Sequence, residues 1–324
     1  MPSGEETEIA DRGDCKKHFL IGLIVVLSPT MRVLPPLLAR LAPSTRLTLH
    51  SPSPLVRPLH PSPTAALAKP DDFVLYPSFL SEAEQEALVA MGLWKLGKSR
   101  GDRRARRRNT LGVGAGVGGG AGLQRLFSGQ YTFEEGHYDS VIHHYRESLL
   151  STLPLSPHPL LVPALRRIYS LFFSSLPPLP HPATQETHPA AQETHPAAQE
   201  THPSLPPAGT LTHILHLAPM GAILPHVDNL EASGRVILGV SLGAERTLRL
   251  RRKFGDGEQG TEGEGWDVRL GSGSVYIQRD SIRYGYEHSI LPFDDPSSIW
   301  DGEKLESGHR ISIMIRDVPP KPNL

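Results

Sequence analysis

The tripeptide His226-Val227-Asp228 lies at the centre of the segment that decides the fold, Thr212 to Arg316. A His and an Asp one residue apart at a strand end can reach the same metal ion, and His288 is the best third ligand further along the chain. Two imidazoles and one carboxylate on one side of a metal, with other positions open, favour non-haem Fe(II) that activates O2. The sequence therefore predicts an iron site made by His226, Asp228 and His288.

The segment His309 to Arg316 is expected to form a strand that supplies a second part of the site. Successive side chains of a strand point to opposite faces. One face then carries three isoleucines, and the other carries Arg310, Ser312 and Arg316. Because an arginine can bind a carboxylate through two parallel hydrogen bonds, Arg310 and Arg316 beside an open metal position predict a site for a small dicarboxylate.

A second His-x-Asp sequence, His137-Tyr138-Asp139, shows that the motif alone carries little information. The context of the two motifs differs. His226 follows an apolar predicted strand, Leu211 to Leu217, and a predicted turn at 218–221, whereas His137 opens an amphipathic stretch. The spacing of apolar residues over 139–150 predicts a helix there. We therefore expect the metal at the first motif only.

The order of these residues resembles that of the AlkB-type Fe(II)/2-oxoglutarate dioxygenases, and the closer resemblance is to their mitochondrial branch. The resemblance covers most of Asp72 to Arg316. It is carried by these segments: His213-Ile214-Leu215, Pro225-His226-Val227-Asp228, Ser274-Val275-Tyr276-Ile277, Arg283-Tyr284, His288-Ser289-Ile290-Leu291 and Gly308-His309-Arg310-Ile311-Ser312. It implies Fe(II) held by His226, Asp228 and His288, together with 2-oxoglutarate as cosubstrate and O2.

The resemblance also assigns the cosubstrate contacts. Arg310, within an Arg-x-Ser motif that ends at Ser312 and with help from Tyr276, is expected to bind the distal carboxylate of 2-oxoglutarate. Arg316 is expected near the end that chelates iron. One departure concerns the strand before His226, where members that repair nucleic acids carry Asn-x-Tyr. Leu215 and Leu217 stand at those positions here, which removes two polar contacts and argues against repair of nucleobases.

The expected fold is mainly β, of the α+β class, with a double-stranded β-helix (jelly-roll) core and flanking N-terminal helices. Many short strands separated by glycine-containing turns indicate such a sandwich or barrel. Ser81 and Glu84 predict a capping box at the start of a helix, and a further helix is expected over 163–173. Phe73 to Tyr76 is expected to be an edge strand. The predicted core strands are Leu211–Leu217, Arg235–Leu242, Arg246–Lys253, Trp266–Leu270, Ser274–Gln278 and His309–Arg316.

Residues 1–70 are expected to be a disordered targeting leader that precedes a dioxygenase domain at 71–324. No Asp or Glu occurs from Met31 to Lys69, and four arginines are spaced among Leu, Ser, Thr and Pro. This composition is typical of a mitochondrial presequence, so we expect the mitochondrial matrix. The alternatives are a proline-rich leader without a targeting role and a secretion signal at Phe19–Leu27, a run too short to span a bilayer. The single Cys15 fits a reducing compartment.

Two low-complexity insertions are expected within the domain, at about 100–122 and 176–208. The first begins with six arginines between Arg100 and Arg108. Contact with RNA phosphates and a solvated basic loop are the two interpretations of this run. The second insertion contains a seven-residue repeat from Ala183 to Pro203, in which the regular prolines exclude a long helix.

The resemblance implies a dioxygenase that hydroxylates a C–H bond, but it leaves the substrate open. A protein or a mitochondrial metabolite is the first expectation, because the insertion at 100–122 is rich in glycine and has few aromatic residues. Enzymes that repair nucleic acids hold a flipped base in a lid of aromatic and polar residues. RNA N-methyl demethylation and a non-enzymatic, metal-bound role in fatty-acid metabolism or programmed necrosis are the alternatives. A monomer is expected.

Overall fold

The computed structural model describes residues 45–59, 68–98, 122–137, 139–177, 204–231, 233–253 and 264–318 of the chain. The first 44 residues, the arginine run Arg100–Arg108 and the repeat Ala183–Pro203 lie outside the described residues. Among the helices of the described part, none has both the length and the apolar character needed to cross a membrane.

A twelve-stranded antiparallel sheet forms the body of the described chain. Ten strands follow one path in the order β1-β3-β10-β7-β14-β6-β11-β8-β9-β2, and β5 and then β4 extend the sheet from β6. Strands β12 and β13 form a separate hairpin. The strands in chain order are β1 Leu47–Thr48, β2 Val56–Pro58, β3 Phe73–Tyr76, β4 Glu134–Gly136, β5 Ile142–Leu149, β6 Thr210–His226, β7 Val236–Gly243, β8 Arg246–Arg252, β9 Gly265–Leu270, β10 Val275–Arg279, β11 Tyr286–Ile290, β12 Ile299–Trp300, β13 Glu303–Lys304 and β14 Arg310–Asp317.

The long strand β6 takes part in both halves of the curled sheet. Its first residues pair with β14, and its last residues pair with β11. Side chains from the two halves meet in one apolar core, which includes Leu215 and Tyr276 from one half and Leu250 and Val268 from the other. The core strands predicted from the sequence are all present, and the fold is the expected jelly roll.

Two helices cover the outer face of the sheet, α1 at Glu82–Leu96 and α2 at Leu161–Ser174. The predicted capping box is confirmed, because the Ser81 side chain accepts from the backbone N–H of Glu84 and the Glu84 carboxylate accepts from that of Ser81. A second apolar core lies between these helices and the sheet, and it contains the isoleucines of β14: Ile311, Ile313 and Ile315. The odd-numbered face of β14 is therefore buried under the helices.

Strand β5 corrects the helix predicted at 139–150, because Ile142–Leu149 is a strand on the edge of β6. Tyr145 pairs with Leu217 and is buried in the core between the two halves of the sheet. The edge of β6 presents a row of backbone N–H and C=O groups to which another strand can pair. Pairing over a long sequence distance therefore overrides the local helical spacing.

The turn predicted at 218–221 is also wrong, because β6 continues through these residues. Leu217 pairs with Tyr145 and Ala222 pairs with His143, so five steps along β6 face two steps along β5. The extra residues form a bulge opposite His144, which has a φ of 50°. A Cβ on Gly221 would lie 2.8 Å from the His144 carbonyl oxygen. The glycine thus serves close approach within a bulge rather than chain reversal.

Residues 45–59 belong to the sheet, although the leader is expected from sequence to reach residue 70. Strand β1 pairs with β3, and β2 pairs with β9. Leu49 and Val56 are buried in the same core as the inner strands. The boundary expected at residue 71 is therefore too late. Strand β3 is also an inner strand between β1 and β10, and the expectation of an edge strand at Phe73–Tyr76 is wrong.

Candidate metal and cosubstrate site

Strand register places the predicted site residues on the inner face of the curled sheet. Residues directly opposite each other on neighbouring strands have their side chains on the same face. The even-numbered residues of β14 therefore share a face with their partners on β7 and β6. Three rows cross these strands: Gly243–Arg310–Leu217, Ser241–Ser312–Leu215 and Ile237–Arg316–Leu211.

The three predicted metal ligands come together at one end of this face. His226, Asp228 and His288 each offer one ligand atom, and these atoms all lie within 4.8 Å of one another. His226 and His288 are register partners on β6 and β11, and their ring centroids are 4.2 Å apart. Asp228 follows the end of β6, with Oδ1 3.6 Å from Nε2 of His226. No second such cluster of three potential ligands occurs in the described ranges.

Asp228 is ionised, and one of its two carboxylate oxygens has no hydrogen-bond donor among the described residues. Burial alone would raise the pKa of Asp228, but its contact with His226 and the positive charge of Arg316 outweigh burial and keep that pKa well below its usual range. Oδ1 accepts from Arg316 at 3.1 Å, whereas Oδ2 is buried and has no partner among the described residues. A buried carboxylate oxygen without a donor is costly. A metal cation would satisfy it.

The two histidines are suited to different protonation states. Nδ1 of His226 lies 2.9 Å from the carbonyl oxygen of Leu224 and donates to it, so Nε2 is the nitrogen that faces Asp228. Burial opposes protonation of His226, but the nearby carboxylate of Asp228 raises its pKa, and a metal would displace that proton. Burial lowers the pKa of His288 to about 4. His288 is thus neutral at physiological pH, as a metal ligand must be.

Arg310 offers an anion site at a distance from the metal ligands. Its side chain is 1% exposed, and its Nε donates to the Ser241 hydroxyl at 3.1 Å. Both terminal nitrogens of Arg310 and the hydroxyl of Ser312 are buried without partners in the described part of the chain. Burial lowers the pKa of Arg310, and no carboxylate opposes this effect. A guanidinium is almost never buried unless it is paired, so the residues fit a bound carboxylate.

Tyr276 lies between the two parts of the site. It pairs with Gly239 on β7, and a Cβ on that glycine would lie 2.2 Å from Cζ of the Tyr276 ring. Burial raises the pKa of Tyr276, with the charges of Arg310 and Arg316 opposing that rise and Asp228 reinforcing it. The ring is therefore close enough to sense both arginines and the carboxylate. Glycine at position 239 leaves the room that the ring occupies.

Leu215 and Leu217 are buried on the same inner face, beside Ser312 and Arg310. They give the cavity an apolar wall where the resembling repair enzymes have polar side chains. The second motif differs from the first, because His137 Nδ1 contacts Asp139 Oδ1 at 2.8 Å without joining a cluster of three ligands in the described ranges. Among the described residues, only His226, Asp228 and His288 form such a cluster.

The sequence did not indicate the residues that support the ligands. Arg283, in the short helix α3 (Asp280–Gly285), is 2% exposed and donates to the carbonyl oxygens of Asp228 and Asn229 and to the hydroxyl of Ser233. These bonds hold the segment that carries Asp228. The only signal in the sequence was the Arg283-Tyr284 pair within the resemblance, without a role.

The side chain of Gln124 fixes the residue before Arg310. Its Oε1 accepts from the backbone N–H of His309, and its Nε2 donates to the His309 carbonyl oxygen, both at 2.9 Å. This paired contact holds the start of β14 and thereby orients Arg310. Nothing in the sequence pattern singled out Gln124, because the contact joins segments 185 residues apart.

Comparison with known families agrees with this geometry. Residues 174–316 match the model of the 2OG-Fe(II) oxygenase superfamily. The alpha-ketoglutarate-dependent dioxygenase alkB homolog 7, mitochondrial, of Bos taurus is 37% identical over 108 residues, which are 33% of this chain and 45% of that protein. The protein of the same name from Mus musculus is 36% identical over the same share of each chain. The alignment thus spans less than half of these relatives.

The comparison with solved structures matches two proteins over about three quarters of this chain. The structure of OsALKBH1 has 17% sequence identity and a TM-score of 0.37, over 76% of this chain and 98% of that one. A Pseudomonas putida prolyl-4-hydroxylase has 13% identity and a TM-score of 0.36, over 76% and 91%. The family match and the two AlkB relatives, together with the His-Asp-His cluster, imply Fe(II), 2-oxoglutarate and O2. Residues 174–316 of this chain are therefore similar to the 2OG-Fe(II) oxygenase superfamily, and a 108-residue stretch is similar to mitochondrial dioxygenases of the AlkB type.

Proposed function

We propose that this protein is an Fe(II)/2-oxoglutarate-dependent dioxygenase that hydroxylates a C–H bond of a protein or a mitochondrial metabolite. The observation that carries the proposal is Arg310, a buried guanidinium whose terminal nitrogens have no partner among the described residues. It shares the inner face of the sheet with the ligand cluster His226, Asp228 and His288. A buried cation that lacks an anion beside a metal site matches a cosubstrate with a carboxylate.

Each residue then has one task. His226, Asp228 and His288 would hold Fe(II) through two nitrogens and one oxygen, which leaves positions for other ligands. Arg310, Ser312 and Tyr276 would bind the distal carboxylate of 2-oxoglutarate, and Arg316 would contact the end near the metal. When bound, Fe(II) and 2-oxoglutarate together supply the oxidising power for hydroxylation by O2, with release of succinate and CO2. The protein supplies orientation and a dry pocket.

The charges of the site favour an ordered assembly. Asp228 is ionised and carries an unpaired oxygen, so it attracts a cation before any anion. Arg316 contacts Asp228 and lies on the same face as Arg310, so positive charge remains for the cosubstrate. Leu215 and Leu217 keep water away from the anion. Electrostatic interactions in such an enclosed site are stronger than in water.

Succinate release tests this function directly. The full chain would be supplied with Fe(II), ascorbate and 2-oxoglutarate, beside an Arg310→Ala variant and an Arg251→Ala control on the exposed side of β8. We expect turnover by the wild type and the control. Removal of two charge-assisted hydrogen bonds should raise the KM for 2-oxoglutarate about a hundredfold in Arg310→Ala. Iron-loaded wild type that releases no succinate and binds no 2-oxoglutarate would contradict the proposal and favour a non-enzymatic, metal-bound regulator.

We further propose that the chain acts in the mitochondrial matrix. Two observations support this location: the acid-free stretch from Met31 to Lys69 and the word mitochondrial in the names of both AlkB relatives. Import into isolated mitochondria, followed by protease treatment with and without detergent, tests it. Chains that start at Met1 and at Met31 should be compared. A chain that stays accessible to protease outside intact mitochondria would contradict the matrix location.

RNA N-methyl demethylation is the second candidate, and the arginine run Arg100–Arg108 is the observation that favours it. Contacts between arginines and phosphates weaken steeply as salt rises. RNA binding should therefore be measured across a salt series, with the wild type and with a variant in which these arginines are glutamine. Salt-sensitive binding that disappears in the variant would move RNA ahead of proteins and metabolites. RNA binding that is unchanged in the variant would argue against contact between these arginines and RNA.

A further inference from the structure

The side chain of Gln278 on β10 is buried without an apparent reason. It is 1% exposed, and its Nε2 has no hydrogen-bond partner among the described residues. Buried polar side chains nearly always have a partner, because desolvation without one lowers stability. Glutamine therefore fits this position only if a ligand or a water molecule accepts from it. Leucine, of similar size, would fit an apolar position better.

Strand register tells us where this amide points. Gln278 pairs with Phe73 on β3 and with Ile237 on β7, and Ile237 pairs in turn with Arg316 on β14. Gln278 and Arg316 thus lie in one row, two strands apart, with about 10 Å between their backbones. Phe73 belongs to the inner core, as does Tyr276, two residues before Gln278. The amide therefore faces the cavity at the level of Arg316.

Few polar side chains on the inner face lie near this level among the described residues, and His213 on β6, opposite Met314, is one of them. Arg310, Ser312 and Tyr276 serve the distal end, and Leu215 and Leu217 offer no polar group. A ligand with carboxylate and carbonyl oxygens at the metal end needs a donor besides Arg316, which already donates to Asp228. A primary amide supplies such a donor without adding charge.

We propose that Gln278 is a cosubstrate-binding residue that donates a hydrogen bond from Nε2 to an oxygen at the metal end of 2-oxoglutarate. It adds a polar side chain to an inner face on which Leu215 and Leu217 provide none. This inference rests on the proposed function, because it concerns the ligand of the same site. It assigns a task to a residue that the ligand motif does not contain.

Calorimetric titration of 2-oxoglutarate into the Mn(II)-loaded full chain tests the inference without turnover. Loss of one hydrogen bond to a charged group should weaken binding about ten- to hundredfold in Gln278→Leu. Gln278→Asn keeps the amide but shortens its reach. Its affinity for 2-oxoglutarate should lie between those of the wild type and Gln278→Leu. The matched control is Gln85→Leu, because the Gln85 amide already donates to the Leu80 carbonyl oxygen and accepts from Ser272. Its binding of 2-oxoglutarate should equal that of the wild type.

Thermal unfolding of the ligand-free protein gives a second, independent measurement. Gln278→Leu removes a buried amide that has no partner and should raise Tm, whereas Gln85→Leu breaks existing hydrogen bonds and should lower it. If Gln278 only stabilised the fold, the Gln278→Leu variant would have a lower Tm than the wild type. The inference is overturned if Gln278→Leu binds 2-oxoglutarate as tightly as the wild type while Arg310→Ala does not. A wild type that binds no 2-oxoglutarate at all would overturn the proposed function instead.

Discussion

Replacement of Gly239 by alanine should disable cosubstrate binding although the side chain at this position would touch neither metal nor ligand. The new Cβ would lie 2.2 Å from Cζ, 2.4 Å from Cε1 and 2.5 Å from the hydroxyl oxygen of Tyr276. Carbon atoms in contact are separated by about 3.5 Å, so the ring would have to move by more than about 1 Å. The ring is 3% exposed and stacks on Phe73 at 6.1 Å between centroids, which leaves it little room.

Two quantities follow from this displacement. The free energy of unfolding should fall by about 1–3 kcal/mol, as is usual for overpacking of a core. The affinity for 2-oxoglutarate should fall about tenfold or more, because the Tyr276 hydroxyl loses its place beside the distal carboxylate. Tyr276→Phe removes the hydroxyl alone. It should weaken the binding of 2-oxoglutarate to a similar degree, while the free energy of unfolding stays nearly unchanged.

Calorimetric titration with 2-oxoglutarate and chemical denaturation together check this prediction. Gly285→Ala is the control, because a Cβ at Gly285 would meet no atom within 4 Å. In the double variant of Gly239→Ala and Tyr276→Phe the two losses in affinity should not add, since both act on one contact. Normal affinity for 2-oxoglutarate in Gly239→Ala would refute the assignment of Tyr276 to the cosubstrate.

Three further changes have defined outcomes. Asp228→Ala should lose iron at micromolar concentrations, and metal analysis showing normal occupancy would contradict the ligand assignment. Arg283→Ala should weaken iron binding about tenfold through the freed Asp228 segment, as measured by metal titration with Tyr284→Phe as neighbouring control. Glu84→Gln should destabilise the fold at pH 7 but not in acid, as pH-dependent denaturation would reveal. Burial raises the pKa of Glu84, but hydrogen bonds from Arg167 and Ser81 lower it below 4.5, so its stabilising effect is present above that pH and disappears as pH falls further.

The parts of the candidate site that lie close together in the chain could be predicted from local sequence patterns. His226 and Asp228 are two positions apart, and the alternation of Arg310, Ser312 and Arg316 with isoleucines states which side chains share a face. The strands of the core were predictable for the same reason. Local patterns contain this information, and the structure follows them.

The remaining features of the fold and of the candidate site depend on pairing between residues that are distant in the sequence. Strand β5 has helical spacing of its apolar residues, yet the edge of β6 makes it a strand. The tasks of Gly239, Gln278 and Arg283 depend on which residues face them across the sheet. No local pattern reports such partners, so these residues became visible only once the register was known.

The buried Arg310 also has a consequence for the ligand-free protein in solution. A buried guanidinium without a carboxylate partner attracts small anions from the solvent, and it binds those that fit beside it. Chloride, acetate or phosphate from the medium would then compete with 2-oxoglutarate and would stabilise the empty fold to different degrees. The choice of buffer anion, at constant ionic strength, thus becomes a variable in every affinity measured on this chain.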